Sequence, residues 1–364
     1  MGATGYTGRL TAEAMVRRGL RPVLAGRTRG RLEALAQELT APGQSPPPVA
    51  TADVQDPASV AALLAPDDVL VTTVGPFARL GRPAVEAALA VGASYLDSTG
   101  EPPFIRSVFQ TYGPQAVERG AGLLPAFGYD YVPGNLAAGL ALDRAGEEAA
   151  RVDVAYFTTG PMTSASASSG TAASTAGIVV DRGFAWRNGA LQQVRTAERV
   201  RAFTVDGRRR SAFSLSGSEH LALPRIAPQL DEINVYLGWA GPLTRPVQAG
   251  ALLLEGVRRI PGALPALRSA LGRHQPATGQ GPDADARRGT GTLVVAHALD
   301  PDGRLLAEVV LRGPNPYELT GDLLAWGAGK ALAAPLAPGA RGPVDAFGLD
   351  VLAAGCAELG LRED

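Results

Sequence analysis

The chain is poor in the residues that most often carry covalent, metal or redox chemistry. It has 364 residues and a single cysteine, Cys356, so no disulfide can close within it. That suits a reducing compartment, and the expectation is a soluble, cytoplasmic protein. The three histidines are scattered, and no His, Cys, Asp or Glu spacing has the form of a metal site, so no metal is expected. Charge of one sign is also lacking. The net charge is −1, which gives no electrostatic case for binding nucleic acid. Long apolar runs are missing too. Stretches such as Val247–Leu254 fall well short of the ~20 residues that span a bilayer, and no basic-plus-apolar signal segment is visible.

What is present has the balance of a globular protein: 46% hydrophobic and 19% charged residues. The length argues for two domains. In the first part, short apolar runs alternate with helical patterns. Pro22–Ala25, Val49–Asp53, Val69–Val74, Ser94–Asp97 and Gly122–Ala126 read as strands. Arg29–Leu39, Pro57–Leu64 (N-capped by Asp56), Arg82–Val91 and Phe104–Arg119 read as helices. Such alternation predicts a doubly wound parallel sheet, an α/β fold of Rossmann type.

After about Pro133 the pattern changes. A helix is predicted at Asn135–Asp143, then a strand at Val152–Thr158 and a small-residue helix at Gly170–Val180. Asp206-Gly207 and Asp300–Gly303 mark two hairpins, with strands Glu198–Val205, Arg209–Leu215, Thr292–Ala298 and Arg304–Arg312. A further strand is predicted at Ile233–Trp239, a broken helical stretch at Pro242–Leu271, a mobile loop at Gln275–Gly291, and closing helices at Tyr317–Leu332 and Val344–Leu359. The second part is therefore expected to be an α+β domain on a mixed or antiparallel sheet.

The strongest chemical signal is at the start. Residues 2–8 read G-A-T-G-Y-T-G and run straight into a helical pattern. Gly2 allows a tight turn, Gly5 lets the backbone approach a pyrophosphate, and Gly8 lets helix and strand pack closely. The helix then offers free N–H groups to phosphate. The predicted dinucleotide contacts are Gly2, Thr4, Gly5, Tyr6, Thr7 and Gly8. Such a loop normally follows a buried strand, but only Met1 precedes it here. The sheet is thus expected to lack its first strand, and the expectation is that the sequence is truncated or its start assigned too late. After the second strand of such a sheet an acid usually binds the ribose 2′-hydroxyl. Here the segment is A-G-R-T-R-G-R, and Arg27, Thr28 and Arg31 suit a 2′-phosphate, so NADP(H) is favoured over NAD(H).

Four stretches carry a family resemblance: GATGYTGRL at 2–10, VGPFARLG at 74–81, YLDSTGE at 95–101 and PAFGYDYVPGN at 125–135. SSGTAAS at 168–174 and GPVDAFGLDVL at 342–352 add to it. The chain resembles the saccharopine dehydrogenase-like oxidoreductases, which include trans-acting enoyl reductases. The resemblance implies that the loop of Val74, Gly75, Pro76 and Phe77 ends the fourth strand and lies over the cofactor. It also implies that Asp53 approaches the adenine edge. It divides the chain into a dinucleotide-binding domain at 1–134, a substrate domain at 135–340 and a last helix at 341–364 returning to the first domain. Tyr131 and Gly134 stand where the family pattern leads us to expect serine.

Hydride transfer asks little of a protein beyond placement, a proton donor and exclusion of water. Tyr129, Asp130 and Tyr131 follow a strand at the edge where ligands bind in such sheets. Asp130 can orient a substrate or tyrosine hydroxyl, or else cap the following helix; the tyrosines can donate a proton or pack. Asp97 and Glu101 lie on another such loop, where Glu101 reads best as a cap for the next helix. His220 can donate a proton near neutral pH or sit solvated at the surface. Arg208-Arg209-Arg210 reads as a solvated hairpin tip. A short-chain dehydrogenase would want Tyr-x-x-x-Lys, and the only lysine, Lys330, has no tyrosine four residues before it.

The sequence reading is therefore an NAD(P)H-dependent reductase of a C=C or C=N bond in a small-molecule or acyl-carrier-bound substrate, with no membrane span, and with a homodimer allowed. A non-catalytic NADP-binding sensor or scaffold is the alternative. Mass spectrometry of the native N-terminus tests the expectation of a missing first strand: residues ahead of Met1 are expected, and a native chain starting at Met1 or Gly2 would contradict it.

Overall fold

The computed structural model describes residues 1–160, 182–258, 260, 262 and 281–364. The predicted helix at Gly170–Val180 and the segment 168–174 lie outside these. The chain divides into two compact units: Met1–Asp130 with Thr278–Gly281 and Pro316–Arg341, and Tyr131–Ala277 with Pro282–Asn315 and Gly342–Asp364. The segment that joins the first unit from the far end of the chain is Pro316–Arg341. The closing residues from Gly342 lie in the second unit, not the first.

The first unit runs α1 (Tyr6–Arg17), β1 (Leu24–Gly26), α2 (Arg29–Glu38), β2 (Val49–Thr51), α3 (Pro57–Ala61), β3 (Val69–Thr72), α4 (Phe77–Leu80), α5 (Arg82–Val91), β4 (Ser94–Asp97), α6 (Pro102–Ser107), α7 (Gly113–Arg119) and β5 (Gly122–Leu124). The helix Pro316–Ala333 and the short strand Gly339–Ala340 complete it. All strand pairs are parallel. The strand Gly339–Ala340, β5, β4 and β3 form one sheet, and β1 with β2 a second. Burial follows sequence: every residue of β4 and β5 is buried, as in a strand covered on both faces. Asp56 caps α3 through its carboxylate on the Ala58 amide (3.1 Å), as predicted.

Between β1 and β3, which belong to separate sheets, lie residues 1–3. Gly2 N donates to Ala25 O (2.9 Å), and Thr73 N donates to Met1 O (3.2 Å). Behind them is a cleft of about 250 Å³ whose lining includes Met1, Ala12, Leu24, Leu70, Val71 and Ala328.

The predicted helix Phe104–Arg119 is present as one continuous helical run with a wide turn inside it. That turn, Val108–Tyr112, lies between α6 and α7, and Pro114 in the first turn of α7 has no N–H to continue the ladder.

The second unit starts with α8 (Val132–Ala145) and β6 (Arg151–Thr159). It continues through β7 (Gly183–Arg187), β8 (Ala190–Val194), β9 (Val200–Val205), β10 (Arg208–Leu215), α9 (Glu219–Ile226), β11 (Glu232–Leu237), β12 (Gly291–Leu299) and β13 (Leu305–Gly313). The sheet order is Arg362–Glu363, β13, β12, β6, β11, β10, β9, with β7 paired to β11 and β8 to β7. Only β6 and β11 pair in parallel, so the sheet is mixed as expected. Residues of one parity on β6, Val152, Val154 and Tyr156, share the face on which α8 packs. The other parity, Ala155 and Phe157, packs with Phe203, Tyr236, Leu293 and Val295. That second face ends in a charged network. Asp153 is fully buried and bound by Arg151 (2.9 and 2.6 Å), by Asn234 (2.8 Å) and by Arg201.

Three predictions are corrected here. The hairpin β7–β8 was not expected, although its turn, Asn188-Gly189, has both residues at positive φ (51° and 66°). The loop Gln275–Gly291 contains, in its described part, a helix at Ala284–Arg288 capped by Asp283 on the Ala286 amide (2.8 Å). The last helix is two pieces, Pro343–Phe347 and Leu349–Glu358, because Gly348 turns the chain at φ 80°.

Candidate dinucleotide and active site

In the first unit the glycine turn is built as its spacing implies. Gly2 has φ +78°, a left-handed value that favours glycine. A Cβ on Gly8 would lie 2.1 Å from Gly2 O and 2.8 Å from Thr73 Oγ1, so only glycine lets α1 start this close to the turn. Gly5 precedes α1 with ordinary extended backbone (φ −76°), and no side chain caps the helix. No acidic residue occupies its first turn either. The amides of Tyr6, Thr7 and Gly8 thus begin a helix whose N-terminus is kept clear of competing carboxylates, an arrangement suited to phosphate. Thr4 is exposed on the same turn.

Arg27, Thr28 and Arg31 follow β1 directly and are exposed. Arg29 is held by Glu33 (2.8 Å). Arg27 and Arg31 have no ion-pair partner among the described residues. Asp53 follows β2 and is half-buried; its Oδ1 accepts the Gln55 amide (3.0 Å), which closes a turn.

The loop of Val74, Gly75, Pro76 and Phe77 adjoins the glycine turn: a Cβ on Gly2 would sit 2.7 Å from Val74 Cγ2. Phe77 is buried and tilts against Phe104, with ring centroids 5.7 Å apart. The structure corrects the reading of Glu101. It stands at the N-cap position of α6, but its side chain serves another helix. Its two carboxylate oxygens accept the amides of Phe77 (2.8 Å) and Ala78 (2.9 Å).

Asp97 plays a similar part toward β5. It is fully buried and accepts the Tyr95 hydroxyl (2.7 Å), the Thr99 amide (2.8 Å) and the Ala126 amide (2.8 Å). Those bonds favour the charged form, yet burial outweighs them and pushes its carboxyl up to about 6.

Asp130 is half-buried beside Gly100; a Cβ there would lie 2.9 Å from its Oδ2. Burial pushes its carboxyl up to about 6 as well. Tyr129 is buried, and its amide donates to Thr320 Oγ1 (3.0 Å) of the helix Pro316–Ala333. Sequence gave no hint of Thr320, because its partner lies 191 positions away. The loops after β1 to β5 thus all meet the carboxyl edge of the unit's parallel strands.

Tyr131 and His220 belong to the second unit. The Tyr131 hydroxyl donates to Ser216 O (3.2 Å). His220 is buried, so it is not a surface histidine. Its Nδ1 lies 3.1 Å from the Gly217 amide, and burial pushes its imidazole down to about 4. At neutral pH it is uncharged, which makes it a poor general acid there.

The glycine at 134 also gains a reason. A Cβ there would fall 2.0 Å from the Tyr156 hydroxyl and 2.3 Å from Glu219 Oε1. Those two groups bond each other (2.5 Å) and fill the space a serine side chain would need.

The fold is an α/β unit of parallel strands joined to a unit built on a mixed sheet. Over 137 residues, 37% of its length, the chain is 44% identical to a Mycobacterium tuberculosis protein that carries a provisional trans-acting enoyl reductase name. Over an equal stretch it is 39% identical to trans-acting enoyl reductases of Mycobacterium bovis and Mycobacterium tuberculosis. The matched stretch spans 32% of the length of these curated relatives. Among solved structures it is similar to apo saccharopine dehydrogenase (L-Glu forming) from Saccharomyces cerevisiae. The TM-score is 0.57, with 99% of this chain and 97% of that one covered at 12% identity, a likeness of fold. No protein-family profile matches the chain. The curated relatives thus bear out the motif resemblance over the matched stretch, and the solved structure bears it out as a likeness of fold.

Gly5→Ala tests the site directly. Alanine fits φ −76°, but its Cβ would lie 3.3 Å from Gly2 O, so a small loss of thermal stability is expected. Dinucleotide affinity should fall by about tenfold or more because the new methyl stands where the pyrophosphate approaches. Unchanged affinity in a titration would contradict the assignment of this loop.

Proposed function

We propose that the chain is an NADPH-dependent reductase acting on the C=C bond of an enoyl group in a small or carrier-bound substrate. The observation that carries this reading is the uncapped, acid-free N-terminus of α1 behind Gly5, with Arg27 and Arg31 exposed after β1 and in no ion pair among the described residues. The residues present fit a phosphorylated dinucleotide. The amides at 6–8 would take the pyrophosphate, and Arg27, Thr28 and Arg31 the 2′-phosphate. Asp53 would lie toward the adenine and Val74 to Phe77 toward the ribose or nicotinamide. Bound there, NADPH would supply a hydride.

The protein's own task is then to orient the acceptor and deliver a proton. Reducing a polarised C=C adds hydride to one carbon and a proton to its neighbour. Asp130 is the acid we assign to that proton, because its carboxyl, pushed up to about 6, holds a proton closer to neutrality than an ordinary aspartate does. Tyr129 and Tyr131 are its nearest alternatives in the chain. The likeness to trans-acting enoyl reductases favours enoyl over imine substrates and a carrier-borne one.

Loss of NADPH absorbance with a panel of enoyl thioesters and cyclic imines tests the reading. Oxidation with enoyl thioesters is expected, with NADPH bound more tightly than NADH. Turnover of imines alone would overturn the enoyl assignment, tighter NADH the cofactor assignment, and tight NADPH binding without turnover would make the chain a sensor. The pH dependence has a definite sign. An acid must be protonated, so kcat should fall as pH rises through about 6. Asp130→Asn should lower kcat by about 10²-fold or more and remove that limb.

A further inference from the structure

We infer that Glu101 is a positioning residue: it holds the loop 74–78 in place for the nicotinamide half of the cofactor, and so sets affinity for that half alone. The inference rests on the proposed reading of the site as a dinucleotide site.

Phe77 and Ala78 open a helical turn, and amides at such a position have no partner within the turn. Glu101 reaches them from the neighbouring strand's loop, one carboxylate oxygen to each, at 2.8 and 2.9 Å. Glu101 is only 7% exposed, so these are buried, charge-assisted bonds, stronger than ordinary ones. Packing adds a second hold. Phe77 lies against Phe104, and a Cβ on Gly81 would fall 2.5 Å from the Phe104 ring. Packing fixes the far end of the turn; the carboxylate fixes its start, next to Gly75 and Pro76.

That start is the part that borders the ligand. Val74 meets Gly2 of the glycine turn, and the loop leaves β3 at the carboxyl edge of a parallel sheet. The arginines that suit the adenosine end follow β1, on the other side of the glycine turn. A dinucleotide laid across this edge with its adenosine phosphate at Arg27 extends its other half past β3 and toward β4. Glu101 therefore stands behind the nicotinamide half and far along the ligand from the adenosine half.

The prediction is a split between two ligands. Adenosine 2′,5′-bisphosphate carries only the adenosine end, and NADPH carries both. In Glu101→Gln, one of the two acceptors becomes an NH2 group that faces an amide donor, so the clamp is broken with little change in volume. Affinity for NADPH is expected to drop by about tenfold, while that for adenosine 2′,5′-bisphosphate stays within about twofold. Glu101→Asp keeps the carboxylate on a shorter stem and should recover part of the loss. It also serves as the reporter if the glutamine variant does not fold. Titrations of both ligands, with melting curves alongside, decide the matter. A parallel loss of both ligands would mean a structural role only and overturn the inference, as would unchanged NADPH affinity. Failure of wild type to bind adenosine 2′,5′-bisphosphate would instead bring down the underlying reading.

Discussion

Two buried carboxylates, Asp97 and Glu101, tie together the loops that leave the carboxyl edge of the first unit's sheet. Asp97 joins the end of β4 to Ala126 after β5. Glu101 joins the same β4 loop to the turn after β3. Three loops that a parallel sheet would leave independent are thereby set in one arrangement. The glycine turn is the fourth, tied to the end of β3 by Thr73, whose amide donates to Met1 O (3.2 Å). Every residue assigned to cofactor or proton in the first unit sits on one of these loops or follows β1 or β2.

The arrangement has an electrostatic cost, and it shows in Asp97. Three donors surround the carboxylate, yet burial still raises its pKa from 3.8 to about 6. Desolvation therefore wins over hydrogen bonding at that position. A carboxyl whose pKa is raised on folding binds its proton more tightly in the native state. Its contribution to stability is then largest below the unfolded value and is lost as pH rises from about 4 through about 6. Burial pushes the Asp130 carboxyl up to about 6 as well, the shift on which its proposed role as the acid rests.

Much of this was legible in the sequence because it is local. The glycine spacing, the β-branched run at 69–74, the cap at Asp56 and the turn at Asp206-Gly207 each act within a few residues. Side-chain reach was not legible. Glu101 looks like a cap for its own helix, since it stands at that helix's N-cap position. Only the fold shows that the amides 23 and 24 residues back are nearer to hand. His220 carried no sequence mark of burial, and Gly134 looked like a defect until Tyr156 and Glu219 were seen to occupy its side-chain space. The hairpin at Asn188-Gly189 had its signal in the sequence, but the flanking strands have mixed polarity and mask it.

The account stands on one claim: that a nicotinamide dinucleotide bound along this edge gives its hydride to a carbon of the substrate. Mass spectrometry of the product formed from an enoyl thioester and NADPH deuterated on one face of its nicotinamide C4 tests it most directly. The account predicts that deuterium from one face only appears on the former β-carbon, and that the label at the α-carbon comes from solvent. Product without deuterium from either face, or no product while NADPH stays bound, would contradict it.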